Sequence, residues 1–148
     1  INDLKDKKDE LKDKKEDLKD EIKGDRQKNR LQKAQNIIKR LRQGITQRYE
    51  STLKLRDRIR ERITKLETDD PTRDLTAAKT ELKKFDTAKY LADLKLFDAK
   101  VEEIKTSSTP AKLTPELKEL AKTLQGDIKD LRQILAQTLR LVIKSKNE

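Results

Sequence analysis

The side chains in this sequence that can do chemistry are carboxylates, lysines and arginines, because its 148 residues include no His, Cys, Met or Trp. That removes the imidazole base, the thiol nucleophile and the soft metal ligands together. Carboxylate pairs at helical spacing, such as Asp9 with Asp13, do occur, but in a chain that is 45% charged they arise by chance. Acid/base pairs also need a cleft with two differing environments, which a solvated helix does not supply. Asp69, Asp70 and Asp74 are the one grouping with hard-cation chemistry. The expectation is a chain with no catalytic residue, no cofactor and no bound metal.

Charge placement is the sharper signal. The net charge is +10, yet residues 1–24 carry 8 basic and 9 acidic groups and residues 67–148 carry 16 and 15. Residues 25–66 carry 14 basic and 4 acidic groups and nine of the twelve arginines, so the whole excess sits on one segment. Arg is the side chain suited to forked contacts with phosphate and carboxylate. Arg40, Arg42, Arg48, Arg56, Arg58, Arg60 and Arg62 are the candidate anion- or partner-binding residues. Residues two apart on a helix point nearly opposite ways, so Arg56 with Arg60 and Arg58 with Arg62 form two ridges rather than one stripe. The alternative use of these groups is ion pairing with Asp and Glu of neighbouring helices. Basic residues here are not interleaved with aromatics, Tyr49 being the only one in the segment, so nucleic acid is the less favoured partner.

The elements that must carry these residues are helices. Three Gly and three Pro in the whole chain leave too few turns for a sandwich or barrel. Residues 1–24 repeat with a period of seven, Leu4, Leu11 and Leu18 at one position and Lys8 and Lys15 at its companion, which predicts a charged helical arm that orders against a partner or as a continuation of the next helix. In residues 25–67, Ile38, Ile45, Thr52, Ile59 and Leu66 share one heptad position and Ala34, Leu41 and Leu55 the other. Gly44 interrupts that run and is read as a close helix approach. Asp70-Pro71 predicts the next helix start, after which Leu75, Ala78, Leu82 and Phe85 make one stripe. Leu91, Leu94, Val101 and Ile104 make a second, out of register, so a kink or short turn is expected near Phe85. Residues 106–113 read as a loop and Thr114-Pro115-Glu116 as a helix start. The last helix has Leu117, Leu124 and Leu131 on one heptad position and Ala121, Ile128, Leu135 and Val142 on the other.

The predicted fold is all-α: an antiparallel bundle of about three long helices (about 25–67, 71–105 and 114–146) in a domain of 25–148, preceded by the arm 1–24. An extended coiled-coil dimer, and homo-oligomers through helix packing, are the competing use of the same stripes. The longest apolar run, Leu141-Val142-Ile143, is far short of the roughly 20 residues of a membrane span. Ile at position 1 in a chain without Met is read as removal of an initiator, by cleavage of an export signal or by trimming.

From Tyr49 to Ile143 the chain resembles small exported, Lys-rich helical-hairpin proteins of bacteria, in Tyr49-Glu-Ser-Thr-Leu53, Arg58-Ile59-Arg60-Glu61-Arg62-Ile63-Thr64-Lys65-Leu66-Glu67, Ala77-Ala78-Lys79 and Thr138-Leu139-Arg140. That resemblance implies export and a bundle and carries no active site. A second similarity is to periplasmic helical-cradle chaperones with an L-T-x-x-Q motif. Leu75-Thr76 and Leu113-Thr114 share the L-T and lack the Gln. The leading functional expectation is a non-enzymatic exported scaffold or interaction protein whose Arg-rich helix meets lipid headgroups, polysaccharide or a protein partner. A client-binding periplasmic chaperone and a nucleic-acid-binding helical protein are the alternatives, and a cytoplasmic location stays open.

Overall fold

The computed structural model of the chain describes residues 2–108 and 110–145, with positions 2, 3 and 27 described by backbone alone. Ile1, Thr109 and residues 146–148, where parts of the expected arm, loop and last helix fall, lie outside the described residues. The described chain is all-α, with four helices rather than three: α1 (Asn2–Asp69), α2 (Thr76–Leu82), α3 (Ala88–Thr106) and α4 (Pro110–Ser145). Among the described residues, no helix is long and apolar enough to cross a membrane.

The arm and the first core helix are one element, because nothing in residues 1–67 breaks a helix. No Pro occurs there, and Gly24 keeps a negative φ instead of the left-handed geometry of a C-terminal cap. The compact units divide further along, at Arg40 and Leu41. In the first unit almost every described side chain is exposed, with only Gly24, Leu31, Gln35 and Ile38 half-buried.

The second unit holds the core. Ile59 and Ile63 of α1, Leu75, Ala78 and Leu82 in and before α2, Phe85, and Leu131, Leu135 and Val142 of α4 form one buried cluster. Both expected stripes of α4 are buried throughout, and so are Leu75, Ala78, Leu82 and Phe85. In α1, Ile45, Thr52 and Ile59 are buried while Ala34 is exposed. α3 departs from expectation: its buried residues are Tyr90, Phe97 and Ile104, at strict seven-residue spacing, and Leu91 is 45% exposed. The aromatics fill the core because their larger area outweighs that of Leu91, Leu94 and Val101. The phase shift at Phe85 is a turn, since α2 ends at Leu82 and α3 begins at Ala88.

Two helix starts also move. Asp70-Pro71 forms a turn, with Arg73 N–H donating to the Asp70 carbonyl at 3.1 Å, and α2 waits until Thr76, whose N–H donates to Asp74 Oδ1 at 3.0 Å. The Thr76 hydroxyl, together with that N–H, holds the Asp74 carboxyl below its ordinary value. The turn aims Arg73 at the end of α4, where Nε donates to Ser145 Oγ (2.8 Å) and Nη2 to the Val142 carbonyl (2.9 Å). Likewise α4 starts at Pro110, where a missing N–H costs nothing, so Leu113-Thr114 lies within a helix and Pro115 is inside it.

Gly44 makes no close approach: a Cβ built there, or at Gly126, meets nothing within 4 Å. Both sit in helices at ordinary φ. Gly44→Ala and Gly126→Ala are therefore each expected to stabilise the chain by roughly 0.5–1 kcal/mol, read as a raised thermal midpoint in circular dichroism.

Candidate anion-binding surface

The seven arginines marked by the sequence divide into two kinds. Arg42 and Arg56 are used internally. Arg42 forks onto Asp98 of α3, with Nε–Oδ1 at 2.9 Å and Nη2–Oδ2 at 3.1 Å, and that carboxylate holds the guanidinium more firmly protonated. Arg56 pairs with the adjacent Asp57 at 3.1 Å and lies 5.3 Å over the Phe85 ring. Arg40, Arg48, Arg58, Arg60 and Arg62 are exposed, and their guanidinium groups make no ion pair among the described residues. The intramolecular pairing alternative thus describes two of the seven. Arg40 belongs to the first unit and the other six to the second.

Within the second unit, Arg60 and Arg48 line different grooves. Arg60 lines a groove of about 340 Å³ with Glu67, Lys79 and Lys83, where Lys79 and Glu67 pair with each other. Arg48 lines another groove, between α1 and α4, with Gln125, Ile128, Lys129, Arg132, Gln133 and Ala136. This second groove has three cations, two amides and no carboxylate in its lining.

Its construction starts from Thr52. A hydroxyl in an apolar heptad position, fully buried, must find partners or lose about 1–3 kcal/mol. Thr52 Oγ1 donates to the Arg48 carbonyl at 2.7 Å and accepts from Arg132 Nε at 2.9 Å. One edge of the Arg132 guanidinium is thereby fixed against α1, beside Arg48 and Lys129. The position of Arg132 is thus set by the core, and an anion arriving there meets a cation that has already lost part of its rotamer freedom.

Lys129 and Arg132 escaped the sequence reading because segment counting places them in a neutral region. The signal that marks Arg132 is Thr52, a polar residue at a core position. The neutralising acids lie on other sides of α4: Asp127 is 4% exposed and pairs with Lys89 of α3 at 2.9 Å, and Glu116 pairs with Lys100 at 2.6 Å.

Asp127 belongs to a second feature the sequence did not show. Asp93 of α3 abuts it, and among the described residues Asp93 Oδ2 and Asp127 Oδ2 have no hydrogen-bond donor. The Asp127 carboxylate, with burial, pushes the Asp93 carboxyl above its ordinary value. A raised acid stabilises the fold when protonated, fully below its unfolded pKa, and that contribution is lost as pH rises through the folded value. Asp93→Asn gives Asp127 a permanent donor. It is expected to raise the thermal midpoint at pH 7 by about 3 °C, one hydrogen bond's worth, and to flatten the dependence of the midpoint on pH between 4 and 7.

Asp69, Asp70 and Asp74 do not gather as a cation site. Asp70 Oδ1 accepts from Thr72 Oγ1 at 2.8 Å and Asp74 from Thr76, and no group of three metal-ligating side chains occurs among the described residues. Tyr49, the one aromatic of the basic segment, is stacked on Tyr90 at 3.8 Å between ring centroids. Compared with protein-family models, with curated proteins and with solved structures, the chain has no match.

Proposed function

We propose that this chain is a non-enzymatic, exported helical scaffold that holds an anionic partner on the Arg-bearing surface of its second unit. The observation that carries the reading is the α1–α4 groove, where Arg48, Lys129 and Arg132 converge with no carboxylate lining it. Unpaired cations in one groove raise the local concentration of anions and offer charge-assisted hydrogen bonds to phosphate, sulfate or carboxylate oxygens. The scaffold itself reads as three antiparallel rods, the end of α1, α2 with α3, and α4. Contact order supports that, with Arg42 on Asp98 and Tyr49 on Tyr90, then Lys89 on Asp127 and Lys100 on Glu116.

Stacking against bases has little support, because Tyr49 is occupied by Tyr90. The partner class is therefore a polyanion read by charge: anionic lipid headgroups, a sulfated or uronic polysaccharide, or an acidic protein. Titration of the full chain with a sulfated polysaccharide, with vesicles containing one-third phosphatidylglycerol and with duplex DNA, at 50 and 200 mM salt, tests this. Binding to the polysaccharide or vesicles at 50 mM, weakened at 200 mM, is the expected result. Absence of binding to every probe at 50 mM salt would remove the reading, and preference for DNA would replace the partner class.

A further inference from the structure

Residues 4–23 lie in α1 with their apolar side chains uncovered: Leu4 is 75% exposed, Leu11 68%, Leu18 58% and Ile22 50%. Each residue turns an α-helix by about 100°, so these four fall on one line about 40° wide. Around that line the charges are sorted. The eight lysines from Lys5 to Lys23 all fall within about 100° of the Leu4 direction, and none of the eight acids from Asp6 to Glu21 falls closer to it than about 100°. One half of this helix is Leu and Lys, and the other half is Asp and Glu.

The sorting selects the occupant. A second copy is disfavoured in either orientation. With Leu at d, Lys8 and Lys15 take position a and the flanking e and g positions are lysines apart from Glu21, so paired copies set lysine against lysine along most of both edges. A bilayer is disfavoured by width, since an arc of about 40° is well under the roughly 100° of an ordinary apolar helix face. A line one side chain wide with a seven-residue period fits the seam of another helix. Its lysine borders need acids on that helix.

We propose that the Leu–Lys face of residues 4–23 docks an acidic amphipathic helix of a different protein, with Leu4, Leu11, Leu18 and Ile22 in the seam and the lysines on flanking Glu or Asp. This goes beyond the Arg-bearing groove and uses none of its residues.

The test uses the full chain and a synthetic peptide of four heptads, Ile and Leu at a and d and Glu at e and g, titrated calorimetrically at 50 mM salt. A peptide with Lys at e and g, and vesicles containing one-third phosphatidylglycerol, are the comparisons. Binding of the Glu-flanked peptide and none of the Lys-flanked one is expected. Leu11→Ala with Leu18→Ala should weaken it at least tenfold while helix content holds, because both side chains are exposed, and Lys12→Glu with Lys14→Glu should do the same. Arg48→Ala with Lys129→Ala should leave it unchanged. No binding, equal binding of both peptides, or insensitivity to the leucine pair overturns the proposal. So does vesicle binding that needs the leucines while the peptide is ignored. Peptide binding that follows Arg48 and Lys129 instead would sink this proposal and leave the groove reading standing.

Discussion

Phe97→Ala is expected to destabilise the second unit by about 3–5 kcal/mol, the usual cost of emptying an aromatic site in a packed core. Phe97 is fully buried, and it is the central one of only three buried residues by which the 19-residue α3 is held, between Tyr90 and Ile104. Against a typical total of 5–15 kcal/mol for a domain, that loss takes a large share. A fall of about 10 °C or more in the thermal midpoint is the expected readout at this chain length. Phe97→Leu, which keeps much of the volume, should recover more than half of it. Leu11→Ala, removing a side chain that is 68% exposed, should leave the midpoint unchanged. Equal effects at Phe97 and Leu11 would contradict the placement of the core.

The second large effect concerns binding. Arg48→Ala combined with Lys129→Ala removes two of the three cations of the α1–α4 groove, and both are exposed, so the fold should be untouched. Exposed ion pairs contribute roughly 0.2–1 kcal/mol each, and two of them come to about a tenfold loss of affinity for a polyanion at low salt. The loss should shrink as salt rises. Arg42→Ala makes a useful contrast: it breaks the Asp98 fork and should lower stability while changing affinity little. Arg58→Ala removes an exposed arginine that is not part of the lining of the α1–α4 groove and is expected to have the smaller effect on affinity.

How much of this was legible in the residues depends on which signal each element carried. The buried face of α4 was readable, because Leu117, Leu124 and Leu131 and the companion set Ala121, Ile128, Leu135 and Val142 are all apolar and all buried. α3 was misread, because counting aliphatic residues favoured Leu91, Leu94 and Val101 over Tyr90 and Phe97, whose ring area decides burial. Thr52, Asp127, Thr138 and Ser145 are buried and invisible to hydrophobic periodicity. Helix starts were ambiguous wherever a Pro could open a helix or a turn. At Pro71 the bonds of Asp70 to Arg73 and Thr72 favour the turn, and at Pro110 an earlier start pre-empts Pro115.

The candidate surface was half legible. Arg48 stood out from the local excess of charge, whereas Lys129 and Arg132 are brought to it by tertiary packing, through a bond from Arg132 to Thr52 across 80 residues of sequence. The charge sorting around Leu4, Leu11 and Leu18 was present in the sequence, but it becomes meaningful only with a continuous helix and exposed leucines.

The measurement that bears most directly on the central claim is a nitrogen-15 NMR titration of the arginine Nε–Hε signals of the full chain with a sulfated polysaccharide at 50 mM salt. The Arg48 and Arg132 signals should shift together and saturate with one affinity, while Arg42 and Arg56, held by Asp98 and by Asp57 with Phe85, stay in place. Saturation with Arg48 and Arg132 unmoved would contradict the claim.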